Sequence, residues 1–364
     1  MIIFQGYCYS QKDVHILTEL KKHSDEVHSV CFSPDGRSMI TGSADKTIIV
    51  WDFETLSPVQ VLEKHHGPVY ALEYTHDGNY FLSGGDNTIK IWDKNGVFIK
   101  SLGGHATAVW SIGISRDDQY IVSGSFDNSF RIWDIYQGET IHVFDIDQKS
   151  ILATAINPVS SFIACGTQDG SIVLFTFDNY EIIHTFSAHG GNVYALDFSA
   201  DGKLLASAGR DGNIKIWDIN QRKIVHLLDK HERSVMDVKF SSDGRYLVSA
   251  SYDATVRLWD VESGEQIHQF IGHTLPVNAI DISTDNRYIL SGSTDKTAII
   301  WELHPKILVD YYFAEEFAKE MEKSGLFEPK KSHESRSEYK EREEKAQAFK
   351  NKLYEKFIQR LNNQ

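Results

Sequence analysis

The stretch SGSFDNSFRIWD, residues 123–134, alternates polar and apolar side chains and ends in Trp133-Asp134, six positions after Asp127. The same arrangement recurs along the chain. Trp-Asp or a substitute for it stands at Trp51-Asp52, Trp92-Asp93, Trp133-Asp134, Phe175-Thr176, Trp217-Asp218, Trp259-Asp260 and Trp301-Glu302. Successive copies are 41 or 42 residues apart, and each has an aspartate six positions before the aromatic residue. A period in the low forties, present seven times, indicates a repeat architecture.

Each copy contains four runs of strand length separated by turn residues, as residues 105–144 illustrate. AVWSIGIS and YIVSGS are joined by RDDQ, SFRIWD follows a tight turn around Asp127, and TIHVF follows YQGE. β-branched and aromatic residues favour strands, whereas Asp, Gly and Pro favour turns. The inner strands are apolar on both faces and need cover on both. Neighbouring copies supply that cover, and a closed ring leaves no copy uncovered.

These copies resemble WD40 repeats, and the chain resembles a seven-bladed WD40 β-propeller over residues 13–303. We therefore predict an all-β propeller domain, residues 1–303, followed by a charged α-helical C-terminal extension, residues 304–364. The seventh copy lacks a fourth strand, because Trp301-Glu302 is followed by LHPK, whereas DVHILTELKKH, residues 13–23, is a strand run without a copy of its own. As in the family, the N-terminal strand is predicted to complete the last blade and close the ring.

The resemblance also implies a buried hydrogen-bonded network in each blade, formed by a histidine, a serine or threonine, the turn aspartate and the tryptophan. The matching residues are His23, Thr41, Asp45 and Trp51; His65, Ser83, Asp86 and Trp92; His105, Ser123, Asp127 and Trp133; His189, Ser207, Asp211 and Trp217; His231, Ser249, Asp253 and Trp259; and His273, Ser291, Asp295 and Trp301. The fourth copy has Asp147, Cys165 and Phe175-Thr176 instead and is predicted to be a blade without the network. A buried tryptophan N–H needs an acceptor, so we interpret the network as structural and not catalytic.

The bulk composition restricts the classes of partner. The 364 residues carry a net charge of −14, and residues 1–304 account for about −15 of it, which disfavours nucleic acid as a partner. Three cysteines that form no close pair favour a reducing compartment, and we predict the cytoplasm. MIIFQGYCYS has neither the basic flank nor the apolar run of a signal peptide, and no stretch approaches a membrane-spanning length, so no membrane partner is expected.

Two register positions carry the candidate binding site, because in WD40 proteins both surround the mouth of the central channel. Five residues after each network histidine stand His28, Tyr70, Trp110, Leu152 (counted from Asp147), Tyr194, Met236 and Asn278. Immediately before each turn aspartate stand Ala44, Gly85, Phe126, Gln168, Arg210, Tyr252 and Thr294. Aromatic residues and arginine dominate interface energies. We predict as partner-binding residues His28, Tyr70, Trp110, Phe126, Tyr194, Arg210, Met236 and Tyr252. The alternative for any one of them is that it folds inward and packs the start of its blade.

The predicted function is that of a non-enzymatic interaction scaffold that binds a peptide or partner domain on this aromatic-rich face. The alternative is a small-molecule-binding or catalytic propeller that uses the channel mouth. Catalysis needs titratable groups that converge, and only His28 and Arg210, on different blades, qualify. No cofactor or metal is predicted, since the other regular histidines (His142, His184, His226 and His268) fall in four different blades.

The tail is predicted to form two helices. The first begins at Pro305 and ends near Gly325; its apolar stripe is Leu308, Tyr311, Ala314, Phe317 and Met321. The second follows a capping box from Ser335 to Glu338; its stripe is Ala346, Phe349, Leu353, Phe357 and Leu361. Either both helices dock on the propeller, or the second helix pairs with itself or with a partner helix.

Overall fold

The computed structural model describes residues 15–146 and 149–361, and the chain divides into two compact units between Glu302 and Leu303. In the described residues, the first unit contains 28 strands arranged in seven four-stranded antiparallel sheets. Residues 303–361 of the second unit form three helices. One sheet corresponds to each sequence repeat, so the prediction of a seven-bladed β-propeller with a helical extension is confirmed.

The blades follow one another along the chain, and each runs from its innermost to its outermost strand. Blade 1 contains β2 (Val27–Phe32), β3 (Ser38–Ser43), β4 (Ile48–Asp52) and β5 (Ser57–Leu62); blade 2 contains β6 (Ala71–Tyr74), β7 (Tyr80–Gly84), β8 (Thr88–Asp93) and β9 (Phe98–Gly103). Blade 3 contains β10 (Val109–Ile114), β11 (Tyr120–Ser125), β12 (Ser129–Asp134) and β13 (Thr140–Asp145); blade 4 contains β14 (Ile151–Ile156), β15 (Phe162–Thr167), β16 (Ser171–Thr176) and β17 (Ile182–Ser187).

Blade 5 contains β18 (Val193–Phe198), β19 (Leu204–Gly209), β20 (Ile214–Asp218) and β21 (Lys223–Leu228); blade 6 contains β22 (Val235–Phe240), β23 (Tyr246–Ser251), β24 (Thr255–Asp260) and β25 (Gln266–Ile271). Blade 7 contains β26 (Val277–Ile282), β27 (Tyr288–Ser293), β28 (Thr297–Glu302) and, as its outermost strand, β1 (Ile16–Lys21).

The N-terminal strand closes the ring as predicted. β1 pairs antiparallel with β28, with Ile16 opposite Trp301 and Lys21 opposite Thr297. The backbone N–H of Glu302 donates a hydrogen bond of 2.8 Å to the carbonyl of His15. Leu20 is 4% exposed and belongs to the apolar cluster between blades 7 and 1. The first and the last strand of the propeller are thereby joined in one sheet.

The blades are held to one another by apolar clusters between their faces. The innermost strand of each blade contacts the innermost strands of both neighbours, including β26 against β2 across the closure. Between blades 7 and 1, for example, Ala298 and Ile300 pack with Val30, Met39 and Trp51. Burial of apolar surface on both faces of every blade is the dominant favourable free energy in such a fold.

The fourth blade replaces the polar network with apolar packing. Phe175 stands where the other blades have tryptophan and is 1% exposed. Its ring lies 4.7 Å from that of Phe144 and stacks on Phe130, with the centroids 5.8 Å apart. Cys165 takes the hydroxyl position and is fully buried, and Asp147, predicted at the histidine position, lies outside the described residues. Aromatic contacts at this position therefore pack blade 4 against blade 3.

The helical unit contains α1 (Pro305–Tyr312), α2 (Ala314–Lys323) and α3 (Arg336–Leu361). Pro305 occupies the first turn of α1, as predicted, and the His304 ring caps the helix by accepting a hydrogen bond from the Lys306 N–H. The predicted capping box is confirmed at α3, where Ser335 and Glu338 each accept a hydrogen bond from the other's backbone N–H.

The prediction of one continuous helix from Pro305 to Gly325 is wrong. The backbone of Phe313 leaves the helical region, with φ −121° and ψ 16°, and separates α1 from α2. The break turns Phe313 into the core of the unit, together with Val309, Phe317, Leu353, Tyr354 and Phe357. Leu308 and Tyr311 of the predicted stripe are consequently only half-buried, and Ala314 is exposed. The apolar stripe of α3 is covered by α1 and α2 within this unit.

Candidate functional site

The repeated spacing of histidine, hydroxyl, aspartate and tryptophan corresponds to a hydrogen-bonded network in six blades. In blade 3, His105 bonds through Nδ1 to Asp127, at 2.9 Å, and through Nε2 to Ser123, at 2.7 Å. The indole N–H of Trp133 donates to the same Ser123 hydroxyl, at 2.8 Å. Blades 1, 5, 6 and 7 repeat this geometry with histidine–aspartate distances of 2.7–2.9 Å.

Blade 2 differs, because its turn is one residue shorter. His65 Nε2 bonds to Ser83 at 2.7 Å, but its Nδ1 lies 3.5 Å from Asp86 and has no hydrogen-bond partner. Lys90 Nζ approaches Asp86 at 3.4 Å instead. The backbone N–H of His66 still donates to Asp86, as the residue after the histidine does in the other five blades. The network in this blade is therefore less complete.

In blade 3, the network favours the neutral form of His105 and the ionised form of Asp127. Burial lowers the pKa of His105, although Asp127 beside it acts in the opposite direction. Burial alone would raise the pKa of Asp127, but hydrogen bonds from Ser129, the Ala106 N–H and His105 together lower it to about 2. A neutral imidazole that is 3% exposed and saturated with partners has no access to substrate. The geometry is that of a structural element.

The first strands of all seven blades start at one end of a central channel. The seven residues that stand there form the rim: His28, Tyr70, Trp110, Leu152, Tyr194, Met236 and Asn278. All of them line a single cavity of about 170 Å³, although their positions in the chain span 250 residues. Each blade contributes one member because each innermost strand begins at the same edge of its sheet.

Four rings on three neighbouring blades form a continuous row at the rim. The His28 and Tyr70 centroids are 5.1 Å apart, and those of Tyr70 and Trp110 are 4.4 Å apart with the planes 26° from parallel. Phe126 meets Trp110 edge-on, at 4.9 Å. Such distances are typical of favourable aromatic pairs. His28, Tyr70 and Trp110 are half-buried, and Phe126 is 41% exposed.

The remaining predicted binding residues are placed differently from one another. Tyr194, Met236 and Tyr252 line the cavity, and Tyr252 is 42% exposed. Arg210 is exposed and packs beside Gly191, and it is not among the residues that line the cavity. Leu152 is 1% exposed, and Asn278 donates hydrogen bonds to the Val27 carbonyl and to Thr294. The aromatic surface thus lies mainly on blades 1, 2, 3, 5 and 6.

Below the rim, the channel contains charged residues that sequence reasoning missed. Three positions after each rim residue, the innermost strands carry Cys31, Glu73, Gly113, Ala155, Asp197, Lys239 and Asp281. Four of these seven residues are charged, and Asp237 adds a fifth charge one position after Met236. All of the charged residues line the cavity except Asp197, which interacts with the charges of Lys239, Glu73 and Asp281. We call Glu73, Asp197, Asp237, Lys239 and Asp281 the throat. The signal that could have revealed them is a charged residue at an inward strand position, repeated at the spacing of the copies.

The throat aspartates connect neighbouring blades. Asp197 accepts a hydrogen bond of 2.7 Å from the Phe240 N–H, and Asp281 accepts one of 2.7 Å from the Phe32 N–H. Asp237 accepts a hydrogen bond of 2.9 Å from the Ile280 N–H. These bonds cross from blade 5 to 6, from 6 to 7 and from 7 to 1.

The throat carboxylates share one environment and perturb one another. Burial raises the pKa of Asp237 to about 7, with Lys239 and backbone N–H groups opposing the shift and the charge of Asp197 adding to it. Burial likewise raises the pKa of Asp197 and of Asp281 to about 6, against the charge of Lys239. The pKa of Lys239 is raised, chiefly by the Glu73 carboxylate, whose Oε2 lies 3.9 Å from Nζ.

The described residues, 15–146 and 149–361, include no group of three or more His, Cys, Asp or Glu side chains that could hold a metal ion. His142, His184, His226 and His268 lie on β13, β17, β21 and β25, on four separate blades.

Comparison with known families agrees with this architecture. The family model described as "WD domain, G-beta repeat" matches residues 14–52, 56–93 and 264–302. The chain belongs to the WD40-repeat family. The intervening WD40 blades match another model, "Echinoderm microtubule-associated protein second beta-propeller", over residues 109–271.

Curated relatives match this WD40 chain over part of their length. It is 33% identical over 165 residues to the U3 small nucleolar RNA-associated protein 15 homolog of Gallus gallus. The aligned segment covers 43% of this chain and 31% of the relative. It is 30% identical over 146 residues to COMPASS component SWD3 of Saccharomyces cerevisiae, 39% of this chain and 46% of the relative. Nuclear distribution protein nudF of Aspergillus niger is 34% identical over 131 residues, 34% of this chain and 30% of the relative. The chain thus spans less than half the length of each of these relatives.

Proposed function

We propose that the protein is a non-enzymatic interaction scaffold that binds a peptide or a partner domain on the aromatic face around the channel. The observation that carries the proposal is the row of rings from His28 through Tyr70 and Trp110 to Phe126, which crosses three blades and is open to solvent. Packing of the blades does not require aromatic residues at these positions, since Leu152 and Asn278 occupy the same register. Rigid aromatic side chains contribute large contact area to protein interfaces at low entropic cost.

The names of the relatives support a role in assemblies. SWD3 is a component of COMPASS, and a polyadenylation factor subunit of Candida albicans is 26% identical over 129 residues. WD40 relatives of this kind are typically protein-interaction scaffolds. We propose the two domains as residues 1–303 and 304–364, and protein partners for the first of them.

The size of the channel cavity favours a side chain of a protein over a free small molecule. Pockets for drug-sized ligands and cofactors measure roughly 300–1,000 Å³, whereas this cavity is about 170 Å³. Among the lining residues, the only thiol is Cys31, and burial raises its pKa far above the range in which a thiolate nucleophile forms. The throat aspartates are committed to backbone N–H groups. These features support binding over catalysis.

None of the described helices is both long enough and apolar enough to cross a membrane. We propose the cytoplasm as the compartment, on the basis of the few cysteines, of which Cys31 and Cys165 are free thiols in buried positions. The net charge of −14 supports partners other than nucleic acid.

The proposal is tested by affinity purification with the wild-type protein and with Trp110→Ala as baits. Tyr136→Ala is the matched control, because Tyr136 is 69% exposed and follows β12, at the opposite edge of the same blade from Trp110 and Phe126. We expect Trp110→Ala to lose partners that the wild type and Tyr136→Ala retain, with at least about tenfold weaker binding, or about 1.4 kcal/mol. Its thermal midpoint should stay close to that of the wild type. Equal recovery by all three baits would show that the rim is not the binding face.

A further inference from the structure

The throat holds more negative than positive charge. Four carboxylates, those of Glu73, Asp197, Asp237 and Asp281, face one ammonium group, that of Lys239, whose pKa each of them raises. His28 at the rim does not offset the difference, because burial lowers its pKa and keeps it neutral. Charges that are partly removed from bulk water interact more strongly than fully solvated charges. The channel therefore attracts a cation.

Hydrogen bonds fix the carboxylates in place without neutralising them. Asp197 and Asp281 each accept a backbone N–H from the next blade. Lys239 Nζ lies 3.9 Å from Glu73 Oε2, which is an ion-pair distance but is too long for a hydrogen bond. At Asp197, where one oxygen accepts the Phe240 N–H, asparagine would serve a purely structural role equally well, because it offers the same acceptor without a charge. The excess charge points to an additional, cationic occupant.

We propose that the channel receives the lysine or arginine side chain of a partner segment that docks on the aromatic rim. This inference rests on the proposed function of the rim and adds the chemistry of the partner. The rings of Tyr70 and Trp110 stand beside the entrance that such a side chain passes. Asp237 lies one strand residue below the rim, and Glu73 and Asp281 lie three residues below it, a depth of about 10 Å at 3.3 Å per residue. A long side chain with a terminal positive charge would contact the aromatic rim with its stem and the throat carboxylates with its charged group.

The probe is a randomised ten-residue peptide library displayed against the immobilised protein, with Trp110→Ala as the counter-selection. We expect the enriched peptides to share one basic residue. In the best peptide, replacement of that arginine by citrulline, or of that lysine by acetyl-lysine, removes the charge and keeps the length. Binding measured by calorimetry should then weaken at least tenfold, while replacement of a second basic residue in the peptide should have a smaller effect.

Two substitutions in the throat should change the affinity in opposite directions. Asp237→Asn keeps an acceptor for the Ile280 N–H, gives up the one for the Val238 N–H and removes one negative charge. Binding of the basic peptide should therefore weaken by about tenfold. Lys239→Met removes the competing ammonium group and should strengthen binding by at least about threefold. A merely structural disturbance of the channel could weaken binding in both variants but could not strengthen it in one.

The outcomes separate this inference from the proposed function. In one result, peptides depend on Trp110 for binding and yet share no basic residue; in another, they bind equally well with citrulline. Either result would agree with the scaffold function but would contradict the proposal that the channel receives a cationic side chain. A library without any Trp110-dependent binder would contradict both. Titration with MgCl₂ alone is the remaining arm: saturable binding of the ion that Asp237→Asn abolishes would make the throat a metal site and the proposal wrong.

Discussion

The carboxylate of Asp281 in the last blade accepts a 2.7 Å hydrogen bond from the backbone N–H of Phe32 in the first blade. The two residues are 249 positions apart, and they meet because the ring is closed. The ring is therefore closed at two places. Asp281 and Phe32 join blades 7 and 1 beside the channel, and β1 pairs with β28 at the outer edge of blade 7.

The outer closure should be a major contribution to stability. Leu20→Ala on β1 removes a side chain that is 4% exposed between blades 7 and 1, and we expect a loss of about 2–4 kcal/mol in the free energy of unfolding. Leu17→Ala on the same strand is the control, because Leu17 is 44% exposed and should change this free energy by about 0.5 kcal/mol or less. Urea denaturation of both variants provides the measurement. Similar losses in the two variants would speak against a packed closing strand.

The blade network should depend on the shared hydroxyl. Ser123→Ala leaves the Trp133 indole N–H and the His105 ring without their common partner, at an expected cost of about 2–3 kcal/mol in unfolding free energy. Ser101→Ala, at an exposed position of β9, should be nearly neutral. Equilibrium denaturation distinguishes the two. A Ser123→Ala protein as stable as the Ser101→Ala protein would mean that the buried network contributes nothing to the fold.

The charge of Asp237 should destabilise the fold at alkaline pH. Its folded-state pKa of about 7 lies above the ordinary value, so the folded protein binds this proton more tightly than the unfolded chain, and stability falls as pH rises from about 4 to 7. Asp237→Asn abolishes this titration. Relative to the wild type, the unfolding free energy of this variant should therefore rise by about 1–2 kcal/mol between pH 5 and pH 8. Thermal denaturation across this range tests the sign, and a constant difference would contradict it.

The titration of His105 and Asp127 in the blade network should change the stability in the opposite direction to that of Asp237. The folded-state pKa values of His105 and Asp127 both lie below their ordinary values, so their contribution is present at neutral pH and is lost as pH falls. For the histidine, the loss begins below about pH 6.5, and for the aspartate below about pH 4. A His105→Gln variant should therefore lose less stability than the wild type between pH 7 and 5. If the unfolding free energies of the two proteins changed equally between pH 7 and 5, the lowered pKa of His105 would be contradicted.

A basic peptide should bind more tightly as the throat ionises. The pKa values of Asp197, Asp237 and Asp281 are about 6, 7 and 6. A cationic side chain favours the deprotonated carboxylates, so its affinity should rise by about tenfold between pH 5.5 and 7.5. Calorimetry in two buffers of different ionisation enthalpy would also detect the released protons. Binding that does not vary with pH would place the charged group of the peptide elsewhere.

The amino-acid sequence by itself determined the number of blades, the four strands in each, the closing strand and the members of the buried network. These features follow from spacings of a few residues within one copy, repeated seven times, and strand pairing within a blade needs only neighbours along the chain. Trp133, Ser123 and Asp127 could be assigned together for this reason, and so could the displaced β1.

Only the tertiary structure decided which side chains act on one another around the axis. Glu73 and Lys239 belong to blades that are not neighbours in sequence, and their charges interact because the closed ring directs one register position of every innermost strand into the same narrow channel. Likewise, the helical stripe did not reveal the break at Phe313, because the packing of α1 and α2 on α3 sets that bend. Electrostatic and packing energies depend on distances in space, and those distances exist only once the ring and the helical unit have formed.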